Sequence, residues 1–451
     1  MPIAASADLG QAVARPARIA LIVWALITAA AIAVIAIAGG AGNLDLVLQT
    51  GPASDLHVTM LACGLAWYLF GMALAMLASR RMTLDEALLA GAVIGVGLLY
   101  ANVLRERVAY LDVIDYIQAA ANLDAGRPLP QRYLYPPLWA TLLQGLMFFG
   151  PRAVFDACWL LNVAGAMGFF WLTVAMLMRY GFQRRTAIAV SLAFVVVNVP
   201  VLRTLSYGQI NLHAMNLVLG SFLLYPRHRV WSAVALAAAA HFKISPVLLA
   251  LPFIVTLDLV WLAVWVACLV GFALPTLAIS GTGPFLDTWR NVQNIYLANP
   301  LSFRETSIDS FARATTFVSG AAVAIGPAVL LTKVAVAAGS LALAMRDRAA
   351  ATFVDRAGPG AAALNMLPAL LVLMVVMSPL LWEHHPVFAG LSFLVLARQL
   401  RPGGEWVALA AAYFAVFLMP TFDFYPFSYM RLAALLGWLA LDWRARRAFT
   451  A

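Results

Sequence analysis

Charge is what this chain has least of. Only 11% of its 451 residues are Asp, Glu, Lys or Arg, while 64% are hydrophobic. Soluble domains carry roughly 25% charged residues, so a water-soluble fold of this length is excluded. No hydrophilic block is long enough to fold as a second core, which leaves one membrane domain. Cysteine is scarce too. Cys63, Cys158 and Cys268 lie in apolar runs without disulfide or metal spacing, and read as small core hydrophobes. The first apolar run, 19–38, exceeds the roughly 7–15 residues of a signal-peptide core and reads as a retained helix.

Apolar stretches are plentiful. A spanning helix needs about 20 mostly apolar residues, and with no water to satisfy the backbone only helices or closed barrels cross a bilayer. The stretches here are long and continuous, so the expected fold is all-α and polytopic, with about 12 to 14 transmembrane helices. The net charge of +9 comes from arginines grouped between these stretches: Arg15/Arg18, Arg80/Arg81, Arg179/Arg184/Arg185, Arg227/Arg229, Arg346/Arg348/Arg356, Arg398/Arg401 and Arg444/Arg446/Arg447. That is the positive-inside pattern. Topology accounts for the charge, and nucleic acid is not a partner.

With those clusters in the cytoplasm, helices at about 19–38, 57–79 and 84–103 place the 110–139 stretch outside. The segment 137–150 is too short to cross and follows Pro136-Pro137, so it reads as an interfacial or re-entrant helix. Helices follow at about 154–178, 186–202, 209–225, a pair at 231–257 broken by Lys243-Ile244-Ser245-Pro246, and 259–279. Residues 281–316 form the longest polar stretch, expected as an outer loop. Further helices at about 317–345, 360–381, 386–399, 405–421 and 428–443 bring both termini to the cytoplasm.

On this topology the unusual polar residues share the outer face: Asp112 and Asp115, the Tyr207–Asn211 turn with Gln209 and Asn211, Lys243, Arg304 with Glu305, Ser307 and Asp309, and Trp382-Glu383-His384-His385. Each also has an ordinary reading. The carboxylates can be solvated or cap a helix, although an acid pair beside apolar surface suits a general base tuned towards neutral pH. Lys243 can snorkel, although an intramembrane cation points to function and can hold a lipid phosphate as a point charge. Arg304 is either a solvated arginine or a bidentate phosphate clamp. Adjacent histidines lack the i, i+4 spacing of a helical zinc pair, so His384 and His385 fit hydrogen bonds to phosphate or sugar better than metal. Tyr135 and Trp382 are interfacial belt aromatics or stack on sugar rings.

The ordered motifs are similar to those of glycosyltransferase family 87, a group with the C-type glycosyltransferase fold that uses polyprenol-phosphate-mannose. Asp112-x-x-x-Tyr116 with Gly126 resembles its opening aspartate-tyrosine-glycine pattern. Tyr135-Pro136-Pro137-Leu138, Gly208-Gln209-Ile210-Asn211, Lys243-x-x-Pro246 and Ser378-Pro379 through Trp382 to His384-His385 resemble its later elements. The resemblance covers about 105–390 and leaves 1–83 as a two-helix extension before a transferase domain at 84–451. It implies an inverting enzyme in a bacterial inner membrane with a periplasmic active site, no cofactor and no metal. The donor would be a polyprenyl-phosphate sugar, mannose first, and the acceptor a lipid or glycan. Asp112 would be the base, with Asp115 raising its pKa by repulsion. The competing class is a transporter of a lipid or small polar solute. It predicts acidic residues at mid-membrane in broken helices, where this chain has only Lys243.

Overall fold

The computed structural model describes residues 6–40, 67–68, 70–83, 86–87, 111–298, 305–319, 325–351, 353–354, 360–400, 403–419 and 425–447. Every regular element among them is helical. The principal helices are α1 (Ser6–Gly40), α2 (Leu111–Asp124), α3 (Leu138–Gln144), α4 (Pro151–Arg179), α5 (Arg184–Val196), α6 (Val199–Tyr207), α7 (Asn211–Leu224) and α8 (Arg229–Phe242). They continue as α9 (Leu259–Ser280), α10 (Gly283–Ala298), α11 (Ile308–Ser319), α12 (Ile325–Ala350), α13 (Ala361–Val376), α14 (Gly390–Ala397), α15 (Gly404–Tyr413) and α16 (Met430–Arg447).

Among the described residues, four helices are long and apolar enough to cross a bilayer: 13–34 of α1, α4, α9 and 326–349 of α12. The pair α5 and α6 makes a fifth, bent by 56°. The bend has a local cause. Asn198 caps α6 by accepting from the Val201 backbone at 3.0 Å, and Pro200 sits in its first turn, where a missing N–H is harmless. Six shorter apolar helices complete the described layer, so the chain is a polytopic membrane protein. The expected helices at 57–79 and 84–103 fall largely outside the described residues.

α13 is the centre. It is buried along nearly its whole length, as expected of a helix apolar on every side, and α12, α14 and α16 pack against it. Within it Pro368 has no N–H for the Leu364 carbonyl one turn back, which instead accepts from the Tyr180 hydroxyl at 2.8 Å.

Two features differ from the sequence expectation. Residues 281–316 are not one outer loop, since they contain α10 and α11. Their polarity is that of helices lying on the domain rather than crossing the membrane. Asp112 is not in a loop either. It occupies the first turn of α2, where a carboxylate is favoured by the helix dipole.

The short helix after Pro137 is present as expected. It continues from α3 as a 3-10 turn to Phe149 and ends with Phe148 and Phe149 exposed by 89% and 71%.

Candidate active site

Asp112 and Tyr116 stand one turn apart, so they share a face of α2. Tyr116 is buried and Asp112 partly so. Tyr135 reaches back across the turn before α3, and its hydroxyl donates to Asp112 Oδ2 at 2.8 Å. The Tyr135 ring meets Tyr116 edge-on at 5.3 Å.

This turn is held from behind. The Tyr133 hydroxyl accepts from the Ala140 backbone at 3.1 Å and donates to the Pro136 carbonyl at 3.2 Å. Along α10, Asp287 accepts from Leu129 N at 3.1 Å, Thr288 donates to the Tyr135 carbonyl at 3.1 Å, and Asn291 donates to the carbonyls of Pro130 and Tyr133 at 2.8 and 3.1 Å. α10 therefore straps down the turn that aims Tyr135. Weakening the strap with Asn291→Ala takes the donor from the Tyr133 carbonyl, while the Pro130 carbonyl still accepts from Tyr133 N at 2.9 Å. It should cost about 1–3 kcal/mol in thermal or denaturant unfolding, with transfer activity falling in parallel as Tyr135 loosens.

The second wall is the turn between α6 and α7. Gly208 takes φ +69°, which glycine adopts without strain. Its neighbour closes a Schellman-type turn through Gln209 N to the Thr204 carbonyl at 2.8 Å. The glycine thereby turns Gln209 and Asn211 inward, where both are fully buried.

From the third side comes Lys243, the first residue beyond α8, where the following Ser245-Pro246 turn stops the helix. Its Nζ donates to Asn211 Oδ1 at 2.8 Å, and Asn211 Nδ2 donates to Gln209 Oε1 at 2.9 Å. The Gln209 side chain in turn hydrogen-bonds Asp112. A single polarised chain thus runs from ammonium to carboxylate through two amides, every donor pointing the same way. Such alignment strengthens each link in a low-dielectric site.

The fourth wall is the loop before α14. His384 is buried, and neither of its ring nitrogens has a hydrogen-bond partner among the described residues. Trp382 packs against His384 and His385 with ring centroids 5.8 and 5.9 Å away. Lys243 Nζ lies 5.4 Å over the Phe388 ring. Arg203 stands behind this wall, paired with Glu383 at 3.0 Å. Arg431 is fixed by the carbonyls of Val416 and Met419 at 3.2 and 3.0 Å. Glu305 ties the loop down, accepting from Leu381 N at 2.7 Å and Ser307 N at 2.8 Å.

The electrostatics follow from burial and neighbours. Burial raises Asp112 to about 6; the Tyr135 hydroxyl opposes this, Asp115 adds to it, and Lys243 and Gln209 oppose it more weakly. Burial lowers Lys243 to about 7, with Asp112 opposing. His384 is pushed well down by burial and then by Lys243, Arg203 and Arg431, so it stays neutral with one N–H to give. Asp115 is raised by burial and lowered by Arg132.

The structure thus brings together Asp112, Tyr135, Gln209, Asn211, Lys243, Trp382, His384 and His385. Asp115 lies one turn further along α2, nearer Arg132, and Asp309 pairs with Lys333 instead. Arg304 lies outside the described residues. Sequence reasoning missed Arg203 and Arg431, although each is an arginine at the edge of an apolar run, the signal that singled out Lys243. It also missed the α10 strap, for which no local signal exists, because its partners are more than 150 residues away.

With a carboxylate raised by burial on one wall and Lys243 beside imidazole nitrogens that lack partners on another, the site can remove a proton while holding an anion. The sequence profile of glycosyltransferase family 87 matches residues 133–379, more than half of the chain. The match includes Tyr135, Gln209, Asn211 and Lys243; Asp112 and the Trp382–His385 loop flank it. Comparison with curated proteins and with solved structures gave no match.

Proposed function

Because the chain belongs to glycosyltransferase family 87, we propose that it moves a sugar, mannose first, from a polyprenyl-phosphate donor to a lipid or glycan acceptor. Asp112 acts as general base. Lys243, His384 and His385 receive the donor phosphate, and Tyr135 and Trp382 flank the sugar. The acceptor oxygen attacks the anomeric carbon from the face opposite the phosphate, and its proton passes to the Asp112 carboxylate. The bond from the anomeric carbon to the phosphate oxygen breaks, and polyprenyl phosphate leaves with the electron pair, inverting the centre. Since that leaving group is already anionic, fixed cations and imidazole N–H groups stabilise it where a strong acid is not required.

The observation that carries this reading is the hydrogen-bond chain from Lys243 to Asp112 beside the unpartnered His384 ring. It couples a base to an anion seat within one site, as displacement of a phosphate by a hydroxyl requires. The carboxylate stands at a helix end, not in the middle of a spanning helix, so the arrangement fits transfer better than transport.

The test is transfer itself. Membranes carrying the chain are incubated with radiolabelled polyprenyl-phosphate mannose and native lipid extract, in parallel with nucleotide-sugar donors. Label should move from the polyprenyl donor. Transfer from a nucleotide sugar instead, or from no lipid-linked sugar at all, overturns the assignment. A reporter fused after Gly126 should signal from the extracytoplasmic side, and a cytoplasmic signal would remove the site from the periplasm.

The two shifted groups also set a pH profile. Activity needs Asp112 deprotonated and Lys243 protonated, so the rate should climb as pH rises through about 6 and fall as it passes about 7. These limbs belong to the coupled pair. Lys243→Arg keeps its charge at every working pH and should remove the falling limb, read from initial rates over roughly pH 5 to 9.

A further inference from the structure

A crevice of about 510 Å³ lies between the start of α5, the end of α14 and α15. It sits at the far end of the bundle from the site, since the helical run that ends at Arg398 starts at His385, 13 residues and roughly 20 Å earlier. Its walls are apolar and aromatic, formed chiefly by Phe182, Val190, Phe393, Leu394, Trp406 and Tyr413. The size is that of a small-molecule pocket, which commonly spans about 300–1,000 Å³.

The mouth differs from the walls. Arg398 lies there, exposed, its guanidinium 5.9 Å from the centre of the Phe182 ring and donating to the Tyr180 carbonyl. Arg179 ends α4, and Arg184 and Arg185 begin α5, all three exposed. Glu405 is the carboxylate nearest in sequence to the lining residues, and Asp347, which acts on Tyr180, is fully buried. Arg398 lines the crevice, and the other three arginines adjoin its lining residues Gly181, Gln183 and Thr186 in sequence, against one partly exposed acid. Arginines ending several apolar helices at one level mark a membrane boundary.

We propose that this crevice binds a membrane phospholipid with an anionic headgroup. One acyl chain lies between Phe393 and Trp406, and the phosphate meets Arg398 and the arginines that open α5. An apolar slot alone would take any chain. The excess of guanidinium at its mouth selects the charge, because a phosphodiester accepts bidentate bonds from arginine. A zwitterionic lipid brings its own cation into the same field and loses part of that attraction. The site is separate from the donor seat by its position and does not depend on the transferase reading.

The full chain, purified in detergent, is exposed to phosphatidylglycerol carrying a photoactivatable acyl chain, and separately to the matching phosphatidylcholine. Peptides containing Phe393, Trp406 or Tyr413 should be labelled about tenfold more by the anionic lipid. Ala410→Trp fills the crevice and should abolish the label. Thr186→Glu places a carboxylate on the crevice wall beside the arginines that open α5 and should reduce the preference while phosphatidylcholine labelling stays constant. The two variants alter opposite sides of the crevice, so loss of fold in one, seen as a lower melting temperature, leaves the other to decide. Equal labelling by the two lipids, unchanged labelling in a folded Ala410→Trp protein, or competition by polyprenyl phosphate as strong as by unlabelled phosphatidylglycerol overturns the proposal.

Discussion

Asp112→Asn should lower transfer by about 10²- to 10⁴-fold, the usual contribution of a positioned general base. The amide keeps the shape and can still accept from Tyr135, so the geometry survives and only the proton acceptor is lost. Stability should not fall with activity. Burial holds the folded-state pKa of Asp112 above its ordinary value, at about 6. Ionising it at neutral pH therefore opposes folding, and a neutral amide relieves that cost. The measurement is kcat/KM for the lipid-linked donor alongside thermal unfolding. Transfer within twofold of the parent, in protein that melts no lower, removes Asp112 from the chemistry. Asp115→Asn provides the contrast: that carboxylate neither bonds Tyr135 nor ends the polarised chain, so its removal should lower the rate far less and move the acid limb of the pH profile slightly downward.

Lys243→Met should be nearly as severe, at about 10²- to 10³-fold, comparable to deleting one preorganised donor from a site that stabilises developing charge. The loss should appear in kcat more than in donor KM, because the phosphate gains its second negative charge as the sugar departs. There is a second consequence. Without the ammonium, Asn211 Oδ1 loses its donor and the chain to Asp112 loses its polarity, so the variant should also shift the acid limb upward. Lys243→Arg should recover much of the rate. A Met variant with unaltered kcat would mean that the phosphate is held elsewhere.

Much of this was legible in the sequence because the membrane makes polarity expensive. Lys243, Gln209, Asn211 and the histidine pair stood out against apolar surroundings, and the same economy of charge fixed the helical class. The proline after Lys243 and the glycine before Gln209 marked where the backbone must turn. What could not be read is tertiary. The 281–316 stretch was too polar to be a spanning helix, and composition does not separate a helix lying on a domain from a loop. Arg203 lies inside a short helix and Arg431 at the start of another; only the folded structure shows them converging on His384. The ranking of causes behind Asp112 was also hidden. Repulsion from Asp115 does raise its pKa, but burial is the larger effect.

The pair of exposed phenylalanines ending the short helix after Pro137 has a consequence for depth. A segment too short to cross, finishing in Phe148 and Phe149, behaves as a float: its rings settle where hydrocarbon begins, and the preceding Tyr133–Pro137 turn is carried at a fixed height above them. Tyr135 belongs to that turn and donates to Asp112. The vertical position of the chemistry is thus set by lipid thickness as well as by protein contacts, and hydrophobic mismatch costs only fractions of a kcal/mol per Å. If the donor is the lipid-linked sugar proposed above, a bilayer of different thickness would raise or lower the Asp112 carboxylate relative to the donor's phosphate.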